Sequence, residues 1–127
     1  MKPPLDCPCG GGRYAACCER WHAGEAAPDA EALMRSRYSA FALGLTDYLL
    51  ATWHPDTRPA TLDLDESPAP KWIGLQVLAH QAEGDSAQVE FIARYKIGGR
   101  AHRLHENSRF LRRDGRWYYV DGIIDEQ

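Results

Sequence analysis

The sequence predicts an α+β fold in which helices come first and an antiparallel sheet follows and packs on them. Three observations point to it. Apolar residues recur at helical spacing from Met34 to Tyr48 and alternate at strand spacing from Val89 to Tyr95, and short glycine turns separate the later segments. All four cysteines lie ahead of this pattern, between Cys7 and Cys18, and read as a unit of their own.

That unit opens the chain. A disulfide framework spreads its bridges across a fold, where closing long loops helps most. Here Cys7 and Cys9 are one residue apart in the gap and Cys17 and Cys18 are adjacent, so a bridge within either couple is strained. Pairing between the couples is geometrically open but belongs to an oxidising compartment. Zinc suits the pattern better: it takes four soft ligands in a tetrahedron, about 2.3 Å from each sulfur, and closes a structural site with no open position. Gly10-Gly11-Gly12 lets the backbone bend between the couples and is expected to aim its N–H groups at the thiolates. Cys7, Cys9, Cys17 and Cys18 are therefore the expected ligands of one structural Zn2+ per chain, whose binding supplies the folding free energy of so short a segment. Two alternatives stay open. The four thiols are free on a disordered tail, or His22, four residues after Cys18, replaces one of the vicinal cysteines.

Residues Ala23–Pro28 are small and polar, as in a linker, and divide the chain into a knuckle (residues 1–24) and an α+β domain (residues 29–127). Asp29 is a plausible N-cap for a helix. Met34, Tyr38, Phe41, Leu45 and Tyr48 then form one apolar helical face, expected to be core for the most part. Gly44 interrupts the run, Thr46 or Asp47 caps a second short helix through Trp53, and His54-Pro55 ends it. Residues 55–70, with four prolines, are a loop with one helical turn near residues 60–64. Strands follow. The first is Trp72–His80, and Glu83-Gly84-Asp85 turns the chain. Val89, Phe91, Ala93 and Tyr95 share a face of the second, and Gly98-Gly99 marks a hairpin. His102–Arg112 is the third strand, Asp114-Gly115 the next hairpin, and Arg116–Ile124 the fourth strand, giving a four-stranded meander.

Composition narrows the function. A chain of 127 residues, 44% hydrophobic, suits one packed domain with a short appendage. Its formal net charge of -3 offers no footprint for non-specific nucleic-acid binding. The one basic cluster, Arg109, Arg112, Arg113 and Arg116, reads as a solvated hairpin end. No apolar run approaches the ~20 residues of a membrane span, and Met1–Asp6 lacks the apolar core of a signal peptide. The expectation is a soluble, cytoplasmic protein with reduced thiols and no membrane contact.

Two resemblances add to this. Cys7-Pro8-Cys9-Gly10 followed by Tyr14-x-x-Cys17-Cys18 resembles the SEC-C motif, a zinc knuckle found at the end of the SecA translocation ATPase and in many other bacterial proteins. The stretch between the second and third ligands is one residue shorter than usual. The motif's customary lysines are missing, leaving Arg13 as its basic residue. The blocks Leu33–Phe41, Asp47-Tyr48-Leu49, Thr52–Pro55, Ser108-Arg109-Phe110 and Gly115–Gly122 are similar to the YchJ-like family of small bacterial proteins. That resemblance spans nearly the whole chain. It implies a SEC-C knuckle followed by a nuclear-transport-factor-2-like domain, a curved antiparallel sheet wrapped on helices to form a cone. Some members carry a second knuckle; here no cysteine follows Cys18. The family implies fold and metal, and no activity.

A cone encloses a cavity, and strand parity names its candidate lining. Leu104, Glu106, Ser108 and Phe110 share one face, taken as inward, and Trp117, Tyr119 and Asp121 share another. His54 is placed near the mouth. His54, Glu106, Tyr119 and Asp121 form a candidate acid–base set for proton abstraction or dehydration. Each also has a plainer reading. His54 bonds locally at its helix end, Glu106 or Asp121 pairs with Arg109 or Arg37, and Trp117 and Tyr119 are core aromatics. His80, His102 and His105 read as surface residues. The leading expectation is a non-enzymatic zinc protein. Its knuckle docks on a protein partner, as SEC-C adaptors do by resemblance, and its cone is a scaffold or small-ligand binder, as monomer or homodimer. The second is an enzyme acting on a small organic molecule through Glu106 and Asp121.

Overall fold

The computed structural model describes residues 6–62 and 70–125. After a short 3-10 turn at Tyr14–Ala16 come helices α1 (Cys18–His22), α2 (Ala30–Leu43) and α3 (Thr46–Ala51). Strands β1 (Lys71–Glu83), β2 (Ser86–Ile97), β3 (Arg100–Arg113) and β4 (Arg116–Asp125) follow. The sheet is an antiparallel meander in the order β1-β2-β3-β4. Its three hairpins turn at the glycines the sequence marks, with Gly84, Gly98, Gly99 and Gly115 all at positive φ.

Helix α2 starts where a carboxylate can satisfy an orphan donor: Asp29 is extended, and its side chain accepts from Ala32 N–H at 2.7 Å. It ends at Gly44, whose φ of 74° lets Leu45 N–H reach back to Ala40 O at 2.9 Å. Helix α3 departs from expectation at both ends. Its N-cap is Leu45, with no side-chain cap, and it stops at Ala51 rather than Trp53. The competing interaction is a bridge between Trp53 and Tyr119 of β4. Tyr119 N–H donates to Thr52 O (2.9 Å) and His54 N–H donates to Tyr119 O (2.7 Å), so β4's free edge captures the chain before another helical turn forms. Of the helical turn expected over residues 60–64, residues 60–62 are irregular and the other two lie outside the described residues.

The inner face of the sheet carries Trp72, Leu75 and Val77 of β1, Val89, Phe91 and Ala93 of β2, and Ser108 and Phe110 of β3. It packs on the Met34–Tyr38 face of α2. The opposite face of α2, with Leu33, Ser36, Ser39 and Ala40 buried, meets α3 and the cysteine knuckle. Cys7, Cys9, Tyr14, Cys18 and Trp21 therefore belong to the same continuous core as Met34, Phe110 and Trp117.

Three bulges shape the sheet. Register slips at Ile73 and Leu78 in β1 and at Val120 in β4. The last one corrects a parity argument. Phe110 faces Tyr119, but Arg109 faces Asp121, so Val120 is the extra residue. Beyond it every side chain of β4 changes face. Trp117 and Tyr119 point inward, whereas Asp121 points outward and Gly122 takes the inner place. No helix among the described residues is long and apolar enough to cross a membrane.

Replacing Asp29 by Ala removes the cap of the helix on which both halves of the core rest. The expected loss is about 1 kcal/mol of unfolding free energy, read as a lower urea midpoint with an unchanged slope.

Candidate metal centre and cone cavity

The four sulfurs converge. Every Sγ lies within 4.8 Å of the others. Cys9 is 3.5 Å from Cys17 and 3.7 Å from Cys18, and Cys17 is 4.0 Å from Cys18. All four are free thiols, and three are buried. A tetrahedral ion about 2.3 Å from each sulfur sets its ligands about 3.8 Å apart, so the donor set fits a closed thiolate site. Protonation is divided among the sulfurs: hydrogen bonds from Cys18 and Cys9 hold the Cys7 thiol far below its ordinary range. In the absence of a cation, burial pushes the Cys17 thiol up to about 11, and hydrogen bonding to Cys7 pushes Cys18 up as well. A divalent ion bound there would supply the counter-charge needed to hold all four as thiolates.

The glycine turn acts through space as much as through torsion. Gly10 and Gly12 sit at φ 84° and 116°, and a Cβ on Gly11 would come within 2.8 Å of Cys17 Sγ. The expected aim of N–H groups at sulfur is partly replaced. Cys7 N–H donates to Gly12 O and Gly10 N–H to Cys7 O, so those donors close the turn. A donor to sulfur comes instead from α2: Ser39 Oγ donates to Cys18 Sγ at 3.4 Å and lies 3.4 Å from Cys7 Sγ.

His22 is not part of the sulfur set, which corrects the alternative ligand. Its Nε2 is 2.8 Å from Ser36 O and its Nδ1 is 2.7 Å from Tyr14 Oη. A carbonyl only accepts, so Nε2 carries the proton and Nδ1 accepts from the phenol. Both nitrogens are committed to tying the knuckle to α2. Burial lowers the His22 pKa.

Between α2 and the sheet lies a cavity of about 180 Å³. Its walls are mainly aromatic, with Tyr38, Phe41, Trp72 and Phe91 among them; its polar members are Arg37, Glu106, Ser108 and Tyr119. Arg37 is only 5% exposed. Its Nη1 donates to Leu49 O (2.8 Å) and Thr52 Oγ1 (2.6 Å), and its guanidinium lies over the rings of Tyr119 (4.6 Å) and Trp53 (5.2 Å). Burial lowers its pKa to about 10, so it stays charged at neutral pH. The Glu106 carboxylate accepts from the Ser108 hydroxyl and lies on Gly122, where a Cβ would come within 2.7 Å of Glu106 Cδ. Burial and the Glu106 charge push the Tyr119 phenol up to about 12.

Of the acid–base candidates, Glu106 and Tyr119 share this cavity, while His54 and Asp121 lie outside it. His54 is buried, but its Nδ1 accepts from Asp56 N–H (3.1 Å) and its ring packs on Tyr118, on the other face of β4. Asp121 is half exposed and held by both arms of Arg109, at 2.6 and 2.5 Å. That contact lowers its pKa. Arg112 pairs with Asp85 at 2.9 Å, so two of the basic cluster are balanced by acids at the solvated sheet end. His80 and His105 face Glu31 (3.9 Å) and Glu90 (2.6 Å) and are partly covered, while His102 is exposed and stacks on Tyr95.

A family model described as the YchJ middle NTF2-like domain matches residues 29–122. The chain belongs to the YchJ-like family. The UPF0225 protein of Chromobacterium violaceum is 61% identical over 124 residues, spanning 93% of this chain and 92% of that one. The UPF0225 protein of Bordetella pertussis is 59% identical over 126 residues, spanning 95% and 94%. Among solved structures, the SEC-C motif containing protein of Rhodopseudomonas palustris superposes with a TM-score of 0.81 at 36% identity, over 94% of this chain and 98% of that one. One from Psychrobacter arcticus gives 0.76 at 30%, over 96% and 84%.

Two residues of this YchJ-like cavity enter the sequence argument in other roles, Arg37 as a pairing partner for Glu106 or Asp121 and Trp53 as the end of a helix. Arg37 is set among Met34, Tyr38 and Phe41 on the apolar stripe. A cation at that helical spacing is the signal that marks it. Trp53, expected in a helix, lines the cavity through its bridge to β4.

Gly122→Ala forces Glu106 off its seat. A cost of roughly 1–3 kcal/mol is expected, and a double-mutant cycle should show most of it gone in a Glu106→Ala background. His22 gives a pH signature. Its folded pKa is lowered, so below the ordinary ~6.5 the unfolded state takes up the proton first and stability falls with acidification. His22→Gln should show a shallower decline below that pH in denaturation curves.

Proposed function

We propose that this chain is a non-enzymatic small-molecule-binding protein whose cone is braced by a structural zinc knuckle. The observation that carries the reading is the cavity of about 180 Å³, an aromatic chamber that holds a buried, charged arginine. Pockets of this make, mainly apolar with a few placed polar groups, are how proteins hold small ligands.

Zinc is the metal that four thiolates in a tetrahedron favour, and a closed set leaves no position for a reacting water. Its role is then structural. Cys7 and Cys18 face Ser39 of α2, and α2 is one wall of the cavity, so the ion holds the helix against which a ligand rests. The reading places the chain in a reducing compartment such as the cytoplasm, where the thiolates persist. A protein partner for the knuckle is compatible with this. The Gly10–Arg13 turn is mostly exposed while the sulfurs behind it are covered, so a partner would meet the turn and Arg13.

The enzymatic alternative rests on Glu106. It is weakened by the positions of His54 and Asp121, which lie outside the cavity and leave this carboxylate with neither of them as a partner there.

The test is elemental analysis with a thiol count, followed by NMR titration of the zinc-loaded chain with single-ring compounds. One zinc per chain, four protected thiols and shifts confined to cavity residues are the expected results. Gly11→Ala should lose the metal and melt roughly 10 °C or more lower, as a loss of a few kcal/mol requires. A metal-free, stable wild-type chain would sink the zinc half of the reading, and a cavity that admits no compound would sink the other.

A further inference from the structure

The cavity's hydrogen-bond groups do not balance. A guanidinium carries five N–H donors. Arg37 commits both hydrogens of Nη1, to Leu49 O and Thr52 Oγ1, and its Nε and Nη2 have no acceptor among the described residues. Trp53 Nε1 is buried with no partner, and Trp53 lines the same cavity beside Arg37. On the acceptor side Glu106 takes the Ser108 hydroxyl and engages Tyr119; its charge reaches Arg37, but it makes no hydrogen bond to Arg37 or Trp53 among the described residues. Surplus donors, one of them on a side chain that keeps its charge, call for a ligand that brings acceptors and a negative charge.

Size and shape narrow the class. A cavity of about 150 Å³ is known to admit benzene, and this one is about 180 Å³. Its aromatic walls offer faces and edges to a flat ring. Glu106, at the sheet side, opposes a second negative group.

We propose that the cone binds a small planar monocarboxylate of single-ring size, with its carboxylate on Arg37 and the Trp53 indole N–H. This rests on the small-molecule reading above and gives it a ligand class. The carboxylate takes the free arm of the guanidinium and the indole hydrogen, and the ring fills the space between Tyr38, Phe91 and Phe110.

The test uses zinc-loaded full-length chain at neutral pH, titrated with benzoate, benzyl alcohol and benzylamine and followed by NMR shifts of the cavity residues. Benzoate should bind roughly tenfold or more tightly than benzyl alcohol, as expected for a charge-assisted contact, and benzylamine should bind most weakly. Arg37→Gln should erase the preference. That substitution also removes bonds to α3, so Trp53→Phe is the companion variant. It keeps an aromatic ring, deletes the N–H, and should weaken benzoate about threefold or more while leaving benzyl alcohol unchanged. Equal or tighter binding of benzyl alcohol or benzylamine would overturn the carboxylate assignment and leave the small-molecule reading standing. Unchanged benzoate binding in Trp53→Phe would overturn the assigned donor pair. No binding by any of the three would overturn both readings.

Discussion

Helix α2 is covered on two opposite sides, and the rest of the molecule is arranged by that constraint. One side presents Met34, Tyr38 and Phe41 to the cavity and the sheet. The other presents Ser36, Ser39 and Ala40, all fully buried, to the knuckle and α3. Small residues there allow close approach, and their hydroxyls have to find partners once dry. Ser39 finds two sulfurs. Ser36 donates to Leu33 O at 2.6 Å and lies 2.7 Å from Tyr48 Oη. The knuckle is thus one of the surfaces that make α2 a buried helix.

The same helix joins the two candidate sites. His22 binds a backbone carbonyl of α2, Arg35 reaches Cys9 O at 3.3 Å, and Arg37, the residue after Ser36, faces the cavity. The knuckle and the cavity wall therefore share one rigid element. Coupling between them would need no long chain of contacts, because both sites touch neighbouring residues of one helix.

Much of this was legible in the sequence, for identifiable reasons. The Asp29 cap, the Gly44 stop and the three glycine hairpins are local devices, and local chemistry decides them. The sulfur cluster was legible because close cysteine couples have few other uses in a reduced chain. What escaped depended on distant partners. The Val120 bulge is set by pairing with β3, and counting parity through it put Asp121 on the wrong face. The end of α3 was set by the edge of β4, some 65 residues away in sequence. The second buried face of α2 was hidden because serine and alanine carry little weight in an apolar pattern. Arg37 was visible only as a pairing partner for Glu106 or Asp121, because its burial depends on the rings of Trp53 and Tyr119, which the sequence keeps far apart.

The two borders of the sheet are handled differently. On β4, the Thr52–His54 segment occupies backbone groups of Tyr119 that would otherwise face outward. On β1, which pairs with β2 alone among the described strands, the slips at Ile73 and Leu78 interrupt the row of free amides and carbonyls twice within thirteen residues. An unbroken border of that length is a template for a strand of another molecule, and irregularities of this kind spoil the match. Straightening β1 by deleting Ile73 or Leu78 would therefore endanger solubility before it touched either site. The irregular border gives a long, partly apolar ribbon a poor match for a strand of another molecule.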